Sequence, residues 1–482
     1  MFRKLCKKFG HQYRTLALLA SEYGPIFSLR LGRHLVVVIS GVEYIRQMFV
    51  REEFEGRPDT FFMRLRSMGT RKGITSTDGQ NWHEQRSFAI RHLRNLGFGK
   101  QPMSKLMEEE LSDLIRKFSK DLKTVKVGYK EVQGVLTDLN LAPRVLNVLW
   151  AIVAGTRFSL DDPQLIALLK LLRARSRAFD MAGGILSQFP WVRFIAPKAS
   201  GYQLLLDVNS QMKAFLMESI ENHKKTYVDG QIRDLIDAYI CEMEARKNDP
   251  QSKFTDDQLV MVCLDLFIAG SETTSNTLRF AFLLAALHPE IQDKVQAELD
   301  SVLCNKNLMD EDHRRLPTLS DRAKLPYCDA FLAEVQRICH VTPVAGPRRT
   351  LCDTKLGGYD IPKDTVILIN LRSVHMEVEH WKNPGIFNPE RYLKKNDDGE
   401  WALDVHDDWL IPFGLGRRRC PGEVMAKSFL FLFFTGVLSH FQLAPDPSAP
   451  KLDDPSQDDG TIPGLTLAPH QFHLLLTPRH DK

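Results

Sequence analysis

The residues best suited to chemistry lie in Pro412-Phe413-Gly414-Leu415-Gly416-Arg417-Arg418-Arg419-Cys420-Pro421-Gly422-Glu423, where one cysteine stands between a glycine-rich turn and the apolar run Met425 to Phe434. Pro421 suits the first position of a helix, so the spacing predicts that Cys420 sits at a helix N-terminus. Free backbone N–H groups, the positive end of the helix dipole and three preceding arginines would favour a thiolate there. Gly414, Gly416 and Gly422 would let the backbone lie against a flat ligand where a Cβ would collide. Two readings fit these residues. One is an ordinary buried cysteine beside a basic loop. The other is the thiolate ligand of a haem iron, whose sulfur donates electron density that favours O–O cleavage.

The full spacing decides between them. Phe413, Gly416, Arg418, Cys420 and Gly422 match F-x-x-G-x-R-x-C-x-G position by position, and on this run the chain resembles the haem-thiolate monooxygenases of the cytochrome P-450 superfamily. The resemblance implies heme b as cofactor, with Cys420 as axial ligand and Phe413, Arg418 and Gly422 around it. A dinucleotide site on Gly414-x-Gly416 is rejected, because Arg419 occupies the third glycine position and no βαβ pattern surrounds it.

The stretch Leu264 to Thr277 reads as a largely apolar central helix interrupted by Ala269-Gly270-Ser271-Glu272-Thr273-Thr274. Gly270 costs a helix about 1 kcal/mol relative to Ala, so it needs a reason. The residues alone allow a packing glycine at a helix crossing or a groove beside a ligand. Resemblance favours the groove: Ala269 and Gly270 would border the haem, while Glu272 and Thr273 would pass protons during oxygen activation. It also makes Trp82 and Arg86 (W-x-x-x-R), Arg348 and Arg418 the ligands of the haem propionates, which need cationic or N–H donors. Glu334-x-x-Arg337 and Pro389-Glu390-Arg391-Tyr392 would join as a buried charge network of structural purpose. His83, His288 and His375 are read as ordinary surface or loop histidines.

The elements that must position these groups are set by periodicity. Tyr13 to Tyr23 reads as an amphipathic helix, and Pro25 to Ile39 as a β-hairpin turning at Gly32-Arg33-His34. Helical patterns dominate from Val42 to Cys339. After Cys339, Gly357 to Asn370 reads as turn and strand, and Phe472 to Leu476 as the strand closing a second hairpin. The fold class is mainly α with small β-sheets (α+β), the cytochrome P-450 fold that the resemblance implies, as one domain over 1–482. The polar segments Lys394 to Glu400 and Pro445 to Gly460 are too short to act as linkers.

With 64 basic and 60 acidic residues the net charge is +4, which gives no global field for nucleic acid. Eight cysteines show neither a C-x-x-C pair nor zinc-like spacing, consistent with reduced thiols. No apolar run of spanning length occurs near the basic opening (Arg3, Lys4, Lys7, Lys8), so residues 1–24 read as a truncated N-terminal region without the anchor of microsomal relatives. The resemblance still implies the cytoplasmic face of the endoplasmic reticulum membrane, with peripheral contact through Gln188 to Pro197, where Trp191 and Arg193 suit an interface.

The chain has no flavin or nicotinamide motif of its own. Electrons would come from NADPH-cytochrome reductase, with cytochrome b5 as a further donor, docking on Arg91, Arg94, Lys100, Arg417 and Arg419. Phe61, Phe62, Met63, Met68, Phe267, Ile268, Val344, Ala345, Ile462 and Leu465 are the expected substrate-facing residues, for a small lipophilic substrate. Within the family the resemblance runs to arthropod members such as methyl farnesoate epoxidase, giving an isoprenoid substrate, with a steroid or foreign compound as alternative. A haem-thiolate isomerase or dehydratase acting on peroxides, or a non-catalytic haem protein, are the competing functions.

Overall fold

The longest element also carries the largest number of buried residues among the described helices. The helix Asp256–Leu287 runs 32 residues, about 48 Å at the usual rise. Thr255 caps it by accepting from the Gln258 N–H at 3.3 Å, and Asp256 and Asp257 place negative charge in its first turn. It ends just before His288-Pro289, where proline disfavours a further helical residue. Its second half is buried on nearly every side, as is the helix Glu423–His440 that comes after the cysteine loop. Helices apolar all round belong in a core rather than on a surface. Phe434 of Glu423–His440 meets Phe282 of the central helix in a tilted contact at 6.1 Å and stacks with Phe331 of the helix Pro326–Ile338 at 4.5 Å between centroids.

The surrounding helices are amphipathic and turn one stripe inward. In Tyr202–Thr226 the buried set Leu205, Val208, Met212, Leu216 and Ile220 keeps to the helical period. The structure, a computed structural model, describes residues 2–179, 181, 184–304, 314–397, 399, 401–404, 408–449, 451–457 and 460–479. The side chains of Arg3, Lys4 and Lys7, and parts of the polar segments 394–400 and 445–460, lie outside the described residues.

Two four-stranded sheets flank the helices. In the first, Ile26–Leu31 and His34–Ile39 form the expected hairpin, with Ser28 opposite Val37. His34–Ile39 then pairs in parallel with Val366–Ile369, which pairs with Ala345–Arg349. The second departs from expectation twice. A hairpin, Lys123–Val127 with Lys130–Thr137, interrupts the block read as helical; Gly128 makes its turn at φ +59°. The strand Leu474–Pro478 does not close a local hairpin. It lies between Phe441–Pro445 and Lys130–Thr137, with Leu476 opposite both Leu443 and Val135.

The charge network forms as the resemblance implies. Arg337 grips Glu334 with Nε and Nη2 at 2.7 and 2.8 Å, and both side chains are fully buried. Arg391 Nε adds a contact to the same carboxylate at 3.1 Å. Arg337 Nη1 also donates to the His375 carbonyl at 2.8 Å. His375 is therefore no surface histidine. It is fully buried, and its Nε2 accepts the Ile411 N–H at 3.1 Å on the approach to the cysteine loop.

Candidate active site

The cysteine loop owes its path to two glycines. Gly414 and Gly416 adopt φ of +71° and +70°, and a Cβ on Gly416 would fall 2.1 Å from the Phe49 carbonyl oxygen. Only glycine fits there. The Cys420 N–H donates to the Phe413 carbonyl at 2.9 Å and closes the loop. The next helix begins at Glu423, with Gly422 as its cap, so Pro421 does not open it and Cys420 stands three residues ahead.

Cys420 opens onto a cavity of about 280 Å³. Phe413, Gly414 and Arg418 share its wall; Ala269, Thr273, Thr274 and Thr277 of the central helix form another part. The sulfur is exposed to this cavity yet enclosed by the protein, and burial pushes its thiol up despite the Gly422 N–H and the cations Arg86 and Arg419. The expected field of three arginines is not aimed at it. Arg417 pairs with Glu52 at 2.6 Å, Arg419 with Glu423 at 2.5 Å, and Arg418 turns away to donate to the Thr77 carbonyl at 2.8 Å. A bound metal cation would supply the missing drive to deprotonate the thiol.

The arginines beside the cavity form an under-neutralised cluster. Arg418 lies 3.9 Å over the Trp82 ring centroid, with its Nε buried and unpaired. Arg348 is buried, and its guanidinium has no hydrogen bond among the described residues beyond its contact over the Phe49 ring at 5.6 Å. Arg57 donates to the Gly346 and Pro347 carbonyls at 3.0 and 2.7 Å and leaves its own Nε buried and unpaired. The nearby Asp78 is already shared by the Arg57 N–H, Arg71 and Arg349. Burial, and after it the mutual repulsion of this cluster, pushes Arg418 down to about 8 and Arg348 well below its ordinary range. Guanidinium groups with free donors and too few counter-charges fit a ligand bearing carboxylates, as haem does with its propionates.

Other expected site residues are placed differently. Trp82 is buried beneath Arg418, and Arg86 donates to the Arg419 carbonyl at 2.6 Å, clamping the loop. Thr273 reaches the cavity, its hydroxyl bonded to the Ala269 carbonyl at 2.8 Å. Glu272 points away from it, to Ser176, and burial pushes its carboxyl up. Gly270 is the packing glycine: a Cβ there would lie 2.6 Å from Leu149 of the crossing helix Ala142–Ala154. Phe267 joins Trp150 and Phe215 in an aromatic cluster, at 5.7 and 5.9 Å, instead of facing a ligand space.

A cysteine loop with this geometry, facing a threonine-bearing central helix across a cationic cavity, is the arrangement on which comparison bears. The family model for cytochrome P450 matches residues 4–476. The chain belongs to the cytochrome P450 family. This P450 is 40% identical to the probable cytochrome P450 305a1 of Drosophila melanogaster, over 99% of the chain and 91% of that protein. It is 36% identical to farnesoate epoxidase of Bombyx mori, over 98% and 90%, and 33% identical to human cytochrome P450 2J2, over 98% and 88%. Membership makes it a haem-dependent monooxygenase, an oxidoreductase whose cofactor iron is held by a cysteine thiolate.

Three groups of this P450 site were not read from sequence. Arg57 precedes Pro58 in what looks like a plain chain break. His340 lines the cavity and packs edge-on against His375 at 4.4 Å, where burial holds it down to about 3. Thr277 extends the threonine face by one turn from Thr273, an i, i+4 spacing that was available as a signal.

Proposed function

We propose that this P450 inserts one oxygen atom from O2 into a lipophilic isoprenoid, methyl farnesoate or a related compound, with electrons from NADPH-cytochrome reductase and cytochrome b5 as a further donor. The observation that carries the reading is the cavity with Cys420 on one wall and Ala269 and Thr273 on the other. In this proposal Cys420 holds the iron, and Arg57, Arg348 and Arg418 hold the propionates with Trp82 beneath them. Haem, when bound, supplies the activation of dioxygen and its transfer to carbon. Thr273 holds a proton at the cavity wall, and Glu272, one residue back and turned to Ser176 at rest, resupplies it by rotating towards that wall.

Arg91, Arg94 and Lys100 are exposed and suit an acidic donor, while Arg417 and Arg419 are half-exposed and already paired. Phe189, Trp191, Phe194 and Ile195 form an exposed apolar patch, which supports peripheral contact with the endoplasmic reticulum membrane. No helix among the described residues is long and apolar enough to cross a membrane. Its relative's name, farnesoate epoxidase, supports the isoprenoid choice.

The test is incubation of haem-loaded protein with reductase, NADPH and a panel of isoprenoids, steroids and fatty acids. Mass spectrometry should find an isoprenoid product heavier by one oxygen atom. NADPH consumption with no such product from any lipophile would refute monooxygenation; product from steroids alone would refute the isoprenoid.

A further inference from the structure

Ser176 lies in the last turn of the helix Pro163–Ala178 and is only 7% exposed. Its hydroxyl serves two partners from distant parts of the chain. On one side is the carboxyl of Glu272 on the central helix. On the other is the Thr466 hydroxyl at 3.1 Å, where either oxygen can be the donor. One partner would satisfy a buried hydroxyl, which has one proton to give and two lone pairs to accept with. Two partners make it the middle of a row: carboxyl, hydroxyl, hydroxyl.

The backbone fixes that row on both sides. The Leu465 N–H donates to the Ser176 carbonyl and the Leu467 N–H to the Val341 carbonyl, each at 2.8 Å, so Thr466 is held between two anchored residues. Asn276, one helical turn beyond Glu272, donates from Nδ2 to the Leu467 carbonyl at 3.2 Å and ties the same segment to the central helix.

The two ends of the row differ. Thr466 is partly exposed, and its neighbours Gly464, Leu465 and Leu467 line a cavity of about 450 Å³ together with the exposed Arg177 and Lys198. A cavity of that size with charged groups on its wall admits water. At the other end Glu272 is half-buried. Burial favours its protonated form, and the buried Arg175 with the exposed Arg173 and Arg177 opposes this.

We infer that Ser176 and Thr466 are positioning residues that reload Glu272 with a proton from water after it has supplied Thr273. Water gives a proton to the Thr466 oxygen as Thr466 passes its own to Ser176, and Ser176 passes its own to the Glu272 carboxylate. Both hydroxyls end as they began, the carboxylate becomes the acid, and the hydroxide left behind takes a proton from bulk water. Glu272 is thus loaded at Ser176 and discharged at the wall beside Thr273. The use of that proton rests on the proposed reading of Glu272 as proton source, whereas the loading stands on the two hydroxyls. A carboxyl fed directly by water would need neither.

Infrared difference spectra of haem-loaded protein between acid and neutral pH give the Glu272 acid band, assigned by its loss in Glu272→Gln. In Ser176→Ala the band should move towards that of a free carboxyl. In both Ser176→Ala and Thr466→Val its exchange in deuterated water should slow roughly threefold to tenfold, the worth of one hydrogen bond. Ser176→Thr and Thr466→Ser, which keep the hydroxyls, should restore it. With reductase, NADPH and methyl farnesoate as probe, Ser176→Ala and Thr466→Val should release more peroxide per NADPH and show a larger solvent isotope effect. A band and an exchange rate indifferent to both variants overturn the relay, as does a change that Ser176→Thr does not reverse. If Glu272→Gln leaves peroxide release unaltered while its band answers to Ser176, the reading of Glu272 as proton source fails and the loading row stands. If Glu272→Gln raises peroxide release and neither hydroxyl variant does, the relay fails and that reading stands.

Discussion

Glu334 receives four donors in a site without water contact: Arg337 Nε and Nη2, Arg391 Nε at 3.1 Å and the Asn388 N–H at 3.0 Å. Glu334→Gln keeps the volume but removes the charge, and turns an amide NH2 towards a guanidinium donor. Arg337 is then a buried cation without a counter-ion, which costs about 3–5 kcal/mol. Arg391→Leu should cost less, because it is 13% exposed at the side chain and supplies only one of the four contacts. The double change Glu334→Leu with Arg337→Met removes both charges and should recover much of the loss, because apolar replacement of a whole buried pair is often close to neutral. Urea unfolding of haem-loaded protein, monitored by the Soret band and by far-ultraviolet circular dichroism, gives the free energies. A Glu334→Gln loss below about 1 kcal/mol, the range of exposed pairs, would refute a structural role for the network. A double variant no better than the single would show that the contact to the His375 carbonyl, not the charge balance, is what matters.

Gly416→Ala should yield protein without haem, because its Cβ meets a backbone oxygen and φ +70° is strained for alanine; a normal reduced-CO spectrum would count against the loop geometry. His340 is held to about 3 by burial, below its ordinary value near 6.5, so its contribution to stability is full above about 6.5 and is lost as pH falls towards 3. His340→Gln should flatten the fall in stability by up to about 1.4 kcal/mol per pH unit in that window, measured by urea unfolding at several pH values. Because burial raises the Glu272 carboxyl, its proton is retained to higher pH than on a surface acid. Product formed per NADPH should then show an alkaline limb above the ordinary carboxylate range, absent in Glu272→Gln. Turnover with reductase should drop steeply with added salt if Arg91, Arg94 and Lys100 guide docking.

Much of the scaffold was legible because its residues have few conformational alternatives. Gly416 can be only glycine, so the motif spacing carried it, whereas the i, i+3 spacing of Glu334 and Arg337 gave only an ion pair on one helical face and the family resemblance supplied its burial. The hairpin Ile26–Ile39 announced itself by alternation and a turn. The lysine-rich hairpin Lys123–Thr137 did not, because both its faces are largely exposed and it lacks an apolar stripe. Side-chain direction was the chief blind spot. Gly270, Glu272 and Phe267 lie on the expected helix but face Leu149, Ser176 and Trp150, and a helix buried on nearly every side gives no pattern from which to tell its faces apart. Arg175 was hidden by its neighbours, since Arg-Ala-Arg-Ser-Arg reads as a solvated run until the fold turns the middle residue inward. Arg57 and His340 act through distant partners, and no local spacing marks them.

The strand Leu474–Pro478 covers the edge of Lys130–Thr137, a strand made much earlier in the chain, and Val366–Ile369 sits likewise beside His34–Ile39. During synthesis both early hairpins must leave the ribosome with one edge open and wait for most of the polypeptide before it is covered. Pairings this distant in sequence slow folding and leave strand edges open to the wrong partner. Nascent chains halted before residue 474 should therefore depend on holding chaperones more than chains released after it, which makes the last sheet strand a checkpoint on synthesis as well as a piece of the core.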